Sequence, residues 1–97
     1  MNPWMLTNNT KYLDPFLIEE FTNRTGLDLP EHSDPRFIKT ILDFLSSKDW
    51  SWLLSRQKDN YVMTIEVDES ESHVIHTDLN LAVFLCTLDA LCSENIQ

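Results

Sequence analysis

The 97-residue chain contains a single glycine (Gly26), two cysteines, and no lysine or arginine after Lys58. Each shortage excludes something. One glycine can build neither the Gly-x-Ser-x-Gly elbow of a serine hydrolase nor a glycine-rich loop that cradles phosphates. Cys86 and Cys92 are six residues apart in what reads as one helix. That spacing is a rise of about 9 Å, too far for a disulfide between them. Neither belongs to a Cys-x-x-Cys pair, so both read as small apolar packing residues of a reduced, intracellular protein. No stretch approaches the roughly 20 apolar residues of a membrane span. The opening "MNPWMLTNNTKYL" lacks a cationic region followed by an apolar block, so no secretory signal is expected and the Asn8 and Asn23 sequons read as chance. The expected location is the cytoplasm.

What is present is acid. The net charge is -9, from 16 Asp and Glu against 7 Lys and Arg. All the bases (Lys11, Arg24, Arg36, Lys39, Lys48, Arg56 and Lys58) precede position 59, while eight acids, from Asp59 to Glu94, follow it. Such a surface repels phosphate backbones and suits a basic protein partner. Direct nucleic-acid binding is not expected, because it needs clustered cations. The plainer reading is a solvated face that confers solubility.

The chain reads as one domain. Residues 1–13 form an N-terminal arm, 14–47 two helices, 50–76 an antiparallel sheet and 77–93 a closing helix. Two segments open with Asp-Pro, "LDPFLIEEF" and "SDPRFIKTILDF". Aspartate suits the N-cap and proline the first helical position, which places helices at about 15–25 and 35–47. Gly26 sits where a left-handed C-cap belongs. From Trp50 the period becomes two: Trp50, Trp52 and Leu54 against Ser51, Leu53 and Ser55, then Tyr61, Met63, Ile65 and Val67 against Val62, Thr64 and Glu66. "RQKDN" is expected to be the loop between these strands, and "SHVIHT" a third strand after "DESE". Thr77 or Asp78 then caps "LNLAVFLCTLDALCSEN", whose apolar stripe runs nearly all round and whose polar side is marked by Asn80, Thr87 and Glu94. The predicted fold is α+β, in the order α-α-β-β-β-α, with a three-stranded antiparallel meander and a buried C-terminal helix.

The segment from "DWSWLLSRQKDNYVM" to "LAVFLCTLDAL" resembles the small phage proteins of the phage ABA sandwich domain family. The matching positions are Trp50, Trp52, Tyr61, His76 and the run Ala82, Cys86, Leu88 and Ala90. These are packing positions covering about half the chain. The Pro-Glu that commonly leads the last helix of that family and the Arg within it are absent here. The resemblance implies a fold and a phage setting and carries no activity.

Chemistry was sought in "VDESESHVIH" (residues 67–76). His73 and His76 have odd spacing, so in a strand they point to opposite faces. Asp68, Glu69 and Glu71 are expected in the turn, where acids favour solvent and local backbone contacts. The loop lacks the glycine and alternating oxygen ligands of a calcium loop. Glu19 and Glu20 read as solvated neighbours on a helix, and Cys86 lacks the exposed, cationic setting of a reactive thiol. No catalytic residue, metal or cofactor is therefore expected, and the chain reads as a non-enzyme.

The favoured expectation is a small phage-type protein that binds another protein, an anti-defence inhibitor whose acidic surface imitates nucleic acid. In size and charge it is similar to anti-restriction and anti-CRISPR inhibitors. Asp59, Glu66, Asp68, Glu69 and Glu71 would contact the partner, with Trp50 and Trp52 as aromatic anchors; the plainer role for the tryptophans is to roof the sheet onto a helix. Trp4 would be a further anchor. The alternatives are a dimeric assembly accessory, with subunits pairing through sheet edges, and a metal or ligand binder using His73, His76 and the neighbouring acids.

Overall fold

The elements run α1 (Pro15–Thr25), α2 (Arg36–Ser47), β1 (Ser51–Gln57), β2 (Asn60–Val67), β3 (Ser70–His76) and α3 (Leu79–Glu94). They are seen in a computed structural model that describes residues 15–31 and 33–94, with only the backbone of Glu94. The expected N-terminal arm with Trp4, the Asp14 cap and His32 lie outside the described residues.

Local chemistry sets the helix ends. Asp34 accepts the Arg36 amide at 2.9 Å, and Pro35 already has helical dihedrals (φ -56, ψ -25). Asp34 is therefore the cap and Pro35 the first helical residue, as its sequence position suggested. The Arg36 guanidinium also grips the Asp34 carboxylate, at 3.1 and 2.7 Å. Asp78 does the same for α3, accepting the Leu81 amide at 3.1 Å. At the end of α1, Gly26 adopts φ 75 and donates its amide to the Thr22 carbonyl at 2.7 Å.

The sheet has the order β1-β2-β3, antiparallel throughout. Its two connections are tighter than the expected "RQKDN" loop. β1 continues through Arg56 and Gln57, Gln57 pairs with Asn60, and only Lys58 and Asp59 turn. Likewise Val67 pairs with Ser70 around Asp68 and Glu69, so Glu71, expected in the turn, belongs to β3. Both turns, and the exit from α2, place a residue other than glycine at positive φ: Lys58 (57), Asp68 (54) and Asp49 (62). Without glycine the left-handed conformation carries a steric cost, least for aspartate.

α3 is the middle of three layers. One side packs on β2 and β3, where the Cys86 thiol reaches the carbonyls of Met63 (3.4 Å) and Ser72 (3.3 Å). On the other side Phe84 meets Phe21 of α1 and Phe37 of α2, with ring centroids 5.3 and 6.0 Å away. Each residue from Leu81 to Cys92 is buried. Thr87, expected on a polar side, is wholly buried and donates its hydroxyl to the Val83 carbonyl at 2.8 Å. A helix covered by a sheet on one side and two helices on the other has no polar side at that level, and a hydroxyl there survives by bonding back to its own helix. No helix among the described residues is long and apolar enough to cross a membrane.

Candidate functional site

Among the described residues helices cover one face of the sheet and leave the other open. Strand alternation puts Met63, Ile65 and Val67 of β2 with Val74 and His76 of β3 against α3, all buried. The opposite face carries Ser51, Leu53 and Ser55 of β1, Val62, Thr64 and Glu66 of β2, and Glu71, His73 and Ile75 of β3. Among the described residues no element packs on it. Leu53 is 67% exposed on it and Ile75 44%. A shallow recess of about 430 Å3 lies between Ser51, Trp52 and Leu53 of β1 and Thr64, Glu66, Glu71 and His73.

Rows across the strands give this face a polarity. In the row Ser51–Glu66–Glu71 the two glutamates stand directly opposite each other. A two-residue hairpin closes on a hydrogen-bonded pair and the pattern then alternates. Counting from Val67 and Ser70, Glu66 and Glu71 form a non-hydrogen-bonded pair, the kind whose side chains are closest. The next row, Leu53–Thr64–His73, holds a bond of 3.0 Å between the Thr64 hydroxyl and His73 Nδ1. Asp68 and Glu69, exposed in the adjoining turn, extend the acidic end.

Among the described residues no cation neutralises this end. The ion pairs seen are Arg24–Glu20, Arg36–Asp34 and Lys39–Asp43, all in the helical half. Contact with Arg36 holds the Asp34 carboxyl at about 2, below its ordinary value.

The residues singled out in the sequence therefore divide into three groups. Glu66, Asp68, Glu69 and Glu71 come together. Asp59 does not join them: it turns the other hairpin, at the far end of β2, roughly 25 Å away. Trp50 and Trp52 point to the helix side of β1, away from the glutamates. Trp50 is half-buried, edge-on to Phe44 at 6.1 Å with the Lys48 ammonium 5.3 Å from its ring centre, so it roofs the core. Trp52 remains 38% exposed at the sheet margin.

The histidines separate as their spacing predicted. His73 is exposed on the open face, while His76 is 3% exposed on the covered face. His76 Nδ1 accepts the Asp78 amide at 2.8 Å. The two rings cannot share one ion, and the described residues contain no group of three His, Cys, Asp or Glu able to hold a metal. Burial pushes the Cys86 thiol far above its usual range, which keeps it protonated and unreactive.

Sequence reasoning passed over Leu53 and Ile75 as partners of the acidic residues. Their alternation was visible, but the absence of a covering layer is a property of the assembled fold. Compared with known protein families, curated proteins and solved structures, the chain matches none.

Proposed function

We propose that this protein is a binding module, without catalytic chemistry of its own, whose contact surface is the open face of the sheet and whose partner presents a basic patch. The observation that carries this reading is the unneutralised Glu66–Glu71 pair beside exposed Leu53 and Ile75. Like charges directly opposite on neighbouring strands oppose folding. Uncovered aliphatic side chains beside them add nothing to the protein's own core. Both features become favourable once a cationic surface with apolar contacts settles on the face.

A basic surface that accepts a file of carboxylates is commonly one that accepts phosphates. The partner class is therefore a nucleic-acid-binding protein, and the protein acts as its competitive inhibitor. If the chain is a phage product, as its sequence resemblance to the phage ABA sandwich family implies, the target is a host factor in the host cytoplasm.

The test is capture from a bacterial lysate by the wild type and by a Glu66→Lys/Glu71→Lys variant, at low and high salt, followed by elution with duplex DNA. The expected result is a basic protein that only the wild type retains, that salt weakens, and that DNA displaces. A partner held equally by both forms, or not released by DNA, would overturn the inhibitor reading.

A further inference from the structure

We propose that two copies of this chain join through their β1 strands, edge to edge, into one six-stranded antiparallel sheet. The inference rests on the edge and not on the acidic face. Among the described residues β1 and β3 are both edge strands, each with one neighbour. Exposed edges are normally guarded by charge, proline or a bulge, since their free amides and carbonyls otherwise recruit another strand. β3 is guarded: it carries Glu71 and follows Asp68 and Glu69. β1, "SWLLSRQ", has no proline, no acid and one charge, Arg56, in a protein of net charge -9. It also shows apolar surface on both sides, with Trp52 38% exposed on one and Leu53 67% exposed on the other. Trp52 is open although it lies on the helix side, because α3 packs on β2 and β3 and stops short of the margin.

The hydrogen-bond pattern fixes which groups are free. Gln57 and Asn60 flank a two-residue turn and so form a hydrogen-bonded pair. Alternation from there turns the backbone groups of Gln57, Ser55, Leu53 and Ser51 toward β2, and those of Arg56, Leu54 and Trp52 outward. A two-fold axis at Leu54 lets these three residues bond to their counterparts, Leu54 with Leu54 and Trp52 with Arg56 of the partner subunit. Each Trp52 then has a guanidinium beside it on the same face. Arg56 is already laid over the Tyr61 ring, 5.8 Å from its centre, with Nε donating to the Lys58 carbonyl at 3.2 Å, so its position costs little to organise. This register pairs each Arg56 with an aromatic ring instead of another cation and keeps both acidic ends distant from the axis.

The experiment is sedimentation of the full chain from micromolar to submillimolar concentration, comparing Trp52→Arg with Trp52→Glu. Both variants lose the indole, so a difference between them reports the residue opposite position 52. Trp52→Arg sets two cation pairs against each other and is expected to raise the dimer dissociation constant at least tenfold over Trp52→Glu, which sets two ion pairs in their place. Arg56→Pro, which removes an outward amide that β1 does not use internally, is expected to give a folded monomer by circular dichroism and sedimentation. Ile75→Lys, on the open face, is expected to leave the dimer intact. A wild type that stays monomeric throughout, equal behaviour of the two Trp52 variants, or dissociation by Ile75→Lys alone would each overturn the proposal.

Discussion

Replacing Glu71 with lysine turns the one like-charge pair on the open face into an attractive pair with Glu66. With charges about 6 Å apart in a water-like medium, each arrangement is worth roughly 0.7 kcal/mol, of opposite sign. The swing is therefore near 1.4 kcal/mol, reduced to about 1 kcal/mol because exposed side chains must be held in place for the attraction to count. In a domain of this size about 1 kcal/mol moves the melting temperature by roughly 4–8 °C. The assay is thermal unfolding followed by circular dichroism at low salt and at about 1 M salt, where screening is felt within roughly 3 Å and most of the gain should vanish. Glu71→Gln, which removes the repulsion without adding attraction, should show about half the effect. A Glu71→Lys protein no more stable than the wild type at low salt, or a gain that salt leaves untouched, would refute the reasoning. The same substitution is expected to abolish partner capture. A residue whose removal strengthens the fold while ending its binding is present for the binding.

Other outcomes are as definite. Phe84→Ala removes the ring that joins α3 to both Phe21 and Phe37, at a cost of about 3–5 kcal/mol, a large share of a small domain's stability, measurable by urea titration. Gly26→Ala meets no neighbouring atom but strains a φ of 75, so it should cost about 1 kcal/mol through backbone conformation alone; Lys58→Gly at the β1–β2 turn should give a smaller change of the opposite sign in the same titration. Asp34 ionises more readily when folded, at about 2 against 3.8, so the cap's contribution is complete above 3.8 and is lost as the pH falls through about 2. Carboxyl NMR titration should show that low midpoint, and Arg36→Ala should return it toward the ordinary value.

Much of the fold was legible because local signals agreed. Asp34-Pro35 and Gly26 marked helix ends, and strict alternation fixed which faces of β1 and β2 look inward. The turns were harder to place, since Lys58 and Asp68 adopt positive φ where Asn-Gly or Asp-Gly would have announced a two-residue hairpin. Without that signal the sequence implies longer loops, one of which would take in Glu71. Thr87 was misplaced because a helix read alone has an inside and an outside, whereas α3 is enclosed by three other elements. The candidate site was legible in its acids and not in its grouping. The pairing of Glu66 with Glu71, the separation of Asp59, and the turning of Trp50 and Trp52 to the other face all follow from strand register, which composition does not contain.

The central position of α3 also orders events during synthesis. The covered face of the sheet and the inner faces of α1 and α2 all take α3 as their partner, and α3 leaves the ribosome after every one of them. Until α3 has emerged, Phe21 and Phe37 lack the Phe84 ring they meet in the fold, and Met63 and Ile65 lack the helix that covers them. The segment from α1 to β3 is therefore expected to stay incompletely packed, and a client for chaperones, until α3 joins it.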